Sequence, residues 1–176
     1  MTPNQISTIG IFLAFLAGCL YWAWQYNILF LVIASIVFLF SGLCDALDGI
    51  VARLYGKTTI FGGFLDSLLD RYADVFILVA IITSGLCDAF WGSVTLGGSL
   101  LVSYVRARAE AAGTKMETVG LAERAERILI LAAASFVAFF WLNALYWSVI
   151  ILAVLTNFTV LQRTIYFYNV SKQKGS

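Results

Sequence analysis

The sequence predicts an all-α integral membrane protein, with six transmembrane helices around a polar cavity open to the cytoplasm. Three observations predict it. The chain has 176 residues, of which 61% are apolar and 12% charged, with a mean hydropathy of +0.92. Soluble domains carry about 25% charged residues, so lipid must cover part of this surface. Six apolar stretches, at about 6–25, 27–52, 61–84, 89–112, 121–141 and 145–169, approach the roughly 20 residues that cross a hydrocarbon core. They are near-continuous rather than alternating, which excludes a β-barrel. The remaining charge gathers at one membrane face.

The first stretch lacks the basic segment and cleavage site of a signal peptide, and is read as a retained span. The second runs into Asp45 and Asp48 and stops at Gly56 and Lys57-Thr58-Thr59. The third carries Asp66 and Asp70 and ends at Ser84-Gly85. The fourth ends with Arg106 and Arg108 before Ala112-Gly113-Thr114. The fifth opens on Glu123, Arg124 and Arg127 and stops at Trp141-Leu142-Asn143, and the sixth bears Arg163. Together residues 1–176 make a single transmembrane domain. Gly92 to Ser103 is rich in small residues and suits a close helix contact, in a dimer or within one chain. Cys19, Cys44 and Cys87 are too few and too scattered for a disulfide framework or zinc site, and read as small apolar core residues.

Threading the spans puts all eleven Lys and Arg at or near one face. The positive-inside rule then predicts cytoplasmic N- and C-termini in a multi-pass cell-membrane protein. Trp22, Trp24, Tyr26, Trp91, Trp141, Tyr146 and Trp147 form an aromatic belt toward the other face. Charge inside a bilayer is costly, so Asp45, Asp48, Asp66, Asp70, Arg106, Arg108, Glu123, Arg127 and Arg163 must face one another around water.

With no histidine in the chain, acid–base and metal chemistry fall to carboxylates. Asp45 and Asp48 share one helix face, as do Asp66 and Asp70 on the next helix. A turn near Gly56 is expected to bring the two helices together antiparallel, so that four carboxylates converge. Their repulsion must be relieved by protonation or metal, and an all-oxygen set suits Mg²⁺, Mn²⁺ or Ca²⁺ rather than zinc. Gly49 and Gly62 leave room beside the acids, and Arg53 is well set to meet a phosphate. Phosphoryl transfer leads on this chemistry: two metals hold a diphosphate while a free carboxylate takes a proton from a hydroxyl. Two other readings exist. The acids could form salt bridges with Arg53 and Arg71, or line the ion path of a cation channel or transporter.

The pattern Asp45-x2-Asp48-Gly49-x2-Ala52-Arg53-x8-Gly62-x3-Asp66-x3-Asp70 resembles the signature of the CDP-alcohol phosphotransferases at every specified position. Pro3-Asn4-Gln5-Ile6-Ser7 is similar to the start of that family's first helix. The resemblance implies a membrane transferase that moves the phosphatidyl-type group of CDP-diacylglycerol or CDP-archaeol to an alcohol and releases CMP. It implies two divalent cations, Mg²⁺ or Mn²⁺, on Asp45, Asp48, Asp66 and Asp70, with Asp70 the base on the acceptor. Asp48, Gly49, Ala52, Arg53, Thr58 and Gly62 would bind the CDP-lipid. A homodimer in contact with membrane lipids is expected, and no nucleic-acid partner.

Ser103 to Glu110, Leu121 to Arg127 and Leu161 to Arg163 resemble the phosphatidylinositol-phosphate and archaetidylinositol-phosphate synthases within that family. The resemblance assigns Arg106, Arg108, Arg127 and Arg163 to the phosphate of inositol 1-phosphate. Clustered guanidinium groups suit a phosphate dianion independently of the resemblance. Glycerol 3-phosphate or another inositol-containing acceptor is the nearest alternative. Lys115, Arg124, Lys172 and Lys174 are assigned to topology and headgroup contact alone.

Overall fold

The structure, a computed structural model, describes residues 3–56, 59–116 and 119–174. Among these, six helices follow one another: α1 (Pro3–Trp22), α2 (Leu29–Leu54), α3 (Ile60–Thr83), α4 (Ala89–Ala111), α5 (Arg124–Ala138) and α6 (Asn143–Lys174). A short 3₁₀ turn at Ala23–Gln25 follows α1. All six predicted stretches are therefore helical. Those of α1, α2 and α6 are long and apolar enough to cross a membrane by length and composition alone. Helix α5, at 15 residues, rises only about 22 Å, and α3 and α4 each carry several charged residues.

Side chains fix several helix starts. Thr59 Oγ1 accepts the Gly62 N–H at 2.9 Å and begins α3. Asp88 Oδ1 accepts the Trp91 N–H at 2.9 Å and begins α4. The single acid of the aromatic face is thus an N-cap, a role worth about 1 kcal/mol. Trp24 Nε1 donates to Ser84 O at 3.0 Å, fastening the end of α1 to the α3–α4 turn.

The core lies toward the aromatic end of the bundle. Tyr21, Leu31, Phe38, Ile77, Ile81, Leu131, Leu145, Val149 and Leu152 are buried there, and the Tyr21 and Ser135 hydroxyls share a 2.7 Å hydrogen bond across it. Outward-facing side chains such as Phe12, Phe15, Phe40, Ile60, Leu101, Leu129, Val154 and Leu161 are exposed on helices throughout the bundle. An apolar exterior of that extent suits lipid. Cys87 is buried and Cys44 half-buried, but Cys19 is exposed on this outer surface rather than in the core.

Helix packing departs from the expected α2–α3 pairing. Helix α1 packs against both α2 and α3, α5 packs on α2 and α6, and α4 packs on α6 and α3. Among the described residues α2 and α3 share no extended contact. Their facing acids leave nothing apolar to bury between them, so α1 takes the contact and the acidic faces stay open. The small residues of α4 serve the monomer: a Cβ at Gly92 would strike Ile82, and one at Gly98 would strike Thr156 and Asn157 of α6. A Cβ at Gly97 would meet nothing within 4 Å among the described residues.

Candidate metal centre and basic cavity

Asp45 and Asp48 on α2 meet Asp66 on α3 at the end of the bundle away from the aromatic belt. One carboxylate oxygen from each lies within 4.8 Å of the others. Asp48 is buried, and the hydroxyl of Ser7 on α1 donates to its Oδ2. Ser41 Oγ donates to Gly10 O at 2.8 Å, holding α2 against α1 just below. Divalent ions bind oxygen at about 2.0–2.6 Å, so three converging aspartates fit Mg²⁺ or Mn²⁺ with little movement. The cradle is lined by Ser7, Gly10, Asp45, Asp48, Asp66 and Asp70.

Asp70 stands beside this triad, held by an arginine. Arg124, the first residue of α5, puts Nη1 2.5 Å from Asp45 Oδ2 and 2.6 Å from Asp70 Oδ1, with Nε 3.8 Å from Asp74 Oδ1. This corrects the assignment of Arg124 to topology. It also replaces the salt bridges to Arg53 and Arg71 considered from sequence, because the partner comes from a helix that sequence proximity does not link to α2 or α3.

Asp74 is a second residue the sequence reading missed. It continues the Asp66–Asp70 spacing by one further turn, so the signal was present in the helix period. Buried at 7% exposure, it accepts from Arg127 Nη2 at 2.5 Å, while Arg127 Nη1 donates to Ala122 O at 3.0 Å.

Next to Asp70 opens a cavity of about 220 Å³, lined by Arg71, Arg106, Arg124, Arg127 and Arg163 with Asp74 and Glu123. Three of the four predicted acceptor arginines converge here. Arg108 does not: it is exposed, because residues two apart on a helix point to nearly opposite faces and Arg106 takes the inner one. Arg106 pairs with Glu110 at 2.9 Å. Arg71, which donates to Ser67 O, adds a guanidinium that the sequence reading had not assigned here.

Arg163 is only 2% exposed. Its Nε donates to Val119 O at 2.7 Å, Nη1 to Val102 O at 2.8 Å and Nη2 to Glu123 Oε1 at 2.9 Å. Three of its five N–H groups therefore tie α6 to α4 and to the approach to α5. Gly120 makes this fit possible, since at φ +133° it lies where other residues are strained, and a Cβ there would press on Thr159 and Arg163. Thr159 Oγ1 also receives the Ala122 N–H at 3.1 Å. The start of α5, and with it Arg124 and Arg127, is thus fastened from α6.

Of the predicted CDP-lipid residues, only Asp48 lines the acidic cradle. Gly49, Ala52, Arg53 and Gly62 lie outside both cavities, at the last turns of α2 and the first turn of α3. Arg53 is exposed and folds back over Gly49, where a Cβ would meet its Nη1 at 3.4 Å. Thr58 lies outside the described residues.

Comparison with known proteins finds relatives of both the sequence and the fold. The family model described as CDP-alcohol phosphatidyltransferase matches residues 1–161. An archaetidylinositol phosphate synthase of Pyrococcus horikoshii is 40% identical over 163 residues, covering 93% of this chain and 81% of the relative. Another, from Methanothermobacter thermautotrophicus, is 46% identical over 132 residues, covering 73% of this chain and 66% of the relative. A crystal structure of Mycobacterium tuberculosis phosphatidylinositol phosphate synthase with CDP-DAG bound superimposes with a TM-score of 0.81 at 28% identity, covering 96% of this chain and 87% of that one. The same enzyme in complex with manganese and citrate also gives 0.81, covering 96% and 83%.

Proposed function

Because this chain belongs to the CDP-alcohol phosphatidyltransferase family, we propose that it transfers the phosphatidyl-type group of a CDP-linked lipid to a hydroxyl of inositol 1-phosphate, releasing CMP. The carrying observation is the basic cavity of Arg71, Arg106, Arg127 and Arg163 that shares Asp70 with the acidic centre. Guanidinium groups clustered in one cavity suit an acceptor that carries a phosphate. The phosphatidylinositol phosphate synthases and archaetidylinositol phosphate synthases among its relatives support the same acceptor.

Asp45, Asp48, Asp66 and Asp70 would hold the divalent ions, two by the logic of a diphosphate. When bound, the ions neutralise the diphosphate and stabilise the CMP leaving group. The chain's own residues do the rest. Arg106 and Arg127 grip the acceptor phosphate, which aims a ring hydroxyl at the wall formed by Asp70. Asp70 accepts that hydroxyl's proton as its oxygen bonds to the lipid-bearing phosphorus, and the bond from that phosphorus to the CMP oxygen breaks. Arg53, Gly49, Ala52, Gly62 and Thr58 would guide the nucleotide at the open end of α2 and α3. Arg163 contributes mainly by fixing the cavity wall.

The site would face the cytoplasm, since threading the spans puts the basic residues at its end of the bundle and the positive-inside rule assigns that end inward. A homodimer would use an outward surface such as that around Gly97. Membership in a transferase family sets the channel reading aside.

The test is CMP release from CDP-diacylglycerol or CDP-archaeol against inositol 1-phosphate, free inositol and glycerol 3-phosphate, with Mg²⁺ or Mn²⁺. Inositol 1-phosphate should be preferred and Asp66→Asn should abolish turnover. Equal rates with free inositol would refute the acceptor, and a preference for glycerol 3-phosphate would move the assignment within the family.

A further inference from the structure

Arg124 belongs to both halves of the site. Only Asp70 and Arg124 line the acidic cradle and the basic cavity alike among the described residues. Its guanidinium is within 2.6 Å of two carboxylate oxygens, Asp45 Oδ2 on α2 and Asp70 Oδ1 on α3. Arg127 and Arg163, its neighbours in the cavity, are by contrast locked by aligned bonds to backbone carbonyls. Carboxylates of α2 and α3 hold the Arg124 side chain where it is.

The backbone beneath it is fixed by the docking of the residues before α5 on Thr159, so any movement is of the side chain. Asp74 Oδ1, at 3.8 Å from Nε, offers a second carboxylate on the cavity side.

Nη1 and a divalent ion cannot both sit on Asp45 Oδ2 and Asp70 Oδ1, since the two cations would repel at contact distance. We propose that Arg124 is a positioning residue that exchanges between the halves: it holds Asp45 and Asp70 until divalent metal claims them, then turns onto Asp74 and adds its charge to the basic cavity. The inference rests on the metal and acceptor readings given above. It makes metal binding and phosphate binding mutually reinforcing, and by linkage each strengthens the other by the same factor. Acceptor would then bind well only to a chain already loaded with metal.

Calorimetric titration of the purified full chain with inositol 1-phosphate, in EDTA and in saturating Mg²⁺, tests this, with Mg²⁺ titrated separately. For the wild type, Mg²⁺ should tighten inositol 1-phosphate about fivefold or more, in the usual range of coupling. In Arg124→Gln that gain should fall below about twofold while Mg²⁺ alone binds more tightly than to the wild type, because its competitor is gone. Arg71→Gln removes a charge from the same cavity without touching the acids, and should weaken inositol 1-phosphate but keep the Mg²⁺ gain. Should Arg124→Gln fail to fold, Arg124→Lys replaces it, with the same signs at smaller size. An unchanged Mg²⁺ gain in the Arg124 variant, or unchanged Mg²⁺ affinity, overturns the exchange while leaving the metal and acceptor readings standing. A wild type that binds no Mg²⁺ overturns the metal reading and the exchange together.

Discussion

Replacing Asp74 by asparagine keeps the shape of the side chain and removes only its charge. The pair it forms with Arg127 is closed at 2.5 Å, and both side chains are under one-tenth exposed. Two unit charges about 4 Å apart attract by about 4 kcal/mol at an effective dielectric near 20. Stranding one member of a buried pair costs about 3–5 kcal/mol in mutational data. Asparagine still accepts a neutral hydrogen bond worth about 1 kcal/mol, which leaves a net loss of about 3 kcal/mol. At about 2–4 °C per kcal/mol for a chain of this length, the apparent melting point should drop by roughly 6–12 °C. The assay is thermal unfolding of detergent-solubilised protein at one scan rate, since membrane proteins unfold irreversibly and only matched midpoints compare. Arg127→Gln added to Asp74→Asn removes the stranded charge and should recover at least half of the loss. A drop of under about 2 °C for Asp74→Asn, or a double variant worse than either single one, would refute the pair as the floor of the basic cavity.

Three further outcomes follow from the same geometry. Arg106→Ala should raise the acceptor KM by about 10–100-fold, the worth of a charge-assisted hydrogen bond of about 1.5–3 kcal/mol, while Arg108→Ala leaves it within about twofold of wild type; steady-state kinetics with varied inositol 1-phosphate compares them, and equal effects would undo the assignment of faces on α4. Gly120→Ala, at φ +133° and against Arg163, should lose about 1–3 kcal/mol of stability and raise the acceptor KM, and a melting point within about 1 °C of wild type would show the turn to be tolerant. Asp88→Ala removes the N-cap of α4 and should cost about 1 kcal/mol with CMP release unchanged; a loss of turnover would mean that the aromatic end takes part in the reaction.

The metal half of the site is legible in sequence because its rules are local. Asp45 with Asp48, and Asp66 with Asp70, sit at helix spacings that force each pair to one face whatever the tertiary structure does. The same arithmetic reaches Asp74, and it separates Arg106 from Arg108. The basic half obeys no such rule. Arg124 meets Asp45 from a helix three elements later, and Arg163 is bound by carbonyls of Val102 and Val119 that carry no sequence signal at all, since every residue has one. Helix packing is long-range in the same way. Nothing in the apolar stretches says that α1, rather than α2, is the main neighbour of α3.

The charges of the two halves also constrain what can bind. Among the described residues the cradle of Asp45, Asp48, Asp66 and Asp70 is lined by one guanidinium, that of Arg124, so it keeps an excess of negative charge that a cation must neutralise. The neighbouring cavity holds five arginines, of which Arg127 is neutralised by Asp74 and Arg163 by Glu123. Among the described residues Arg106 pairs with an exposed acid on its own helix, and Arg71 lines the cavity as well, so an anion is wanted there. The two excesses meet at Asp70 and Arg124. An acceptor gripped by its phosphate on the arginine side therefore reaches the carboxylates only with its hydroxyl end, whereas water, free to enter, is not gripped at all. On the proposed reading, the rate of transfer to inositol 1-phosphate over hydrolysis of the CDP-lipid should fall with each cavity arginine removed, and Arg106→Ala should lower that ratio more than it lowers hydrolysis itself.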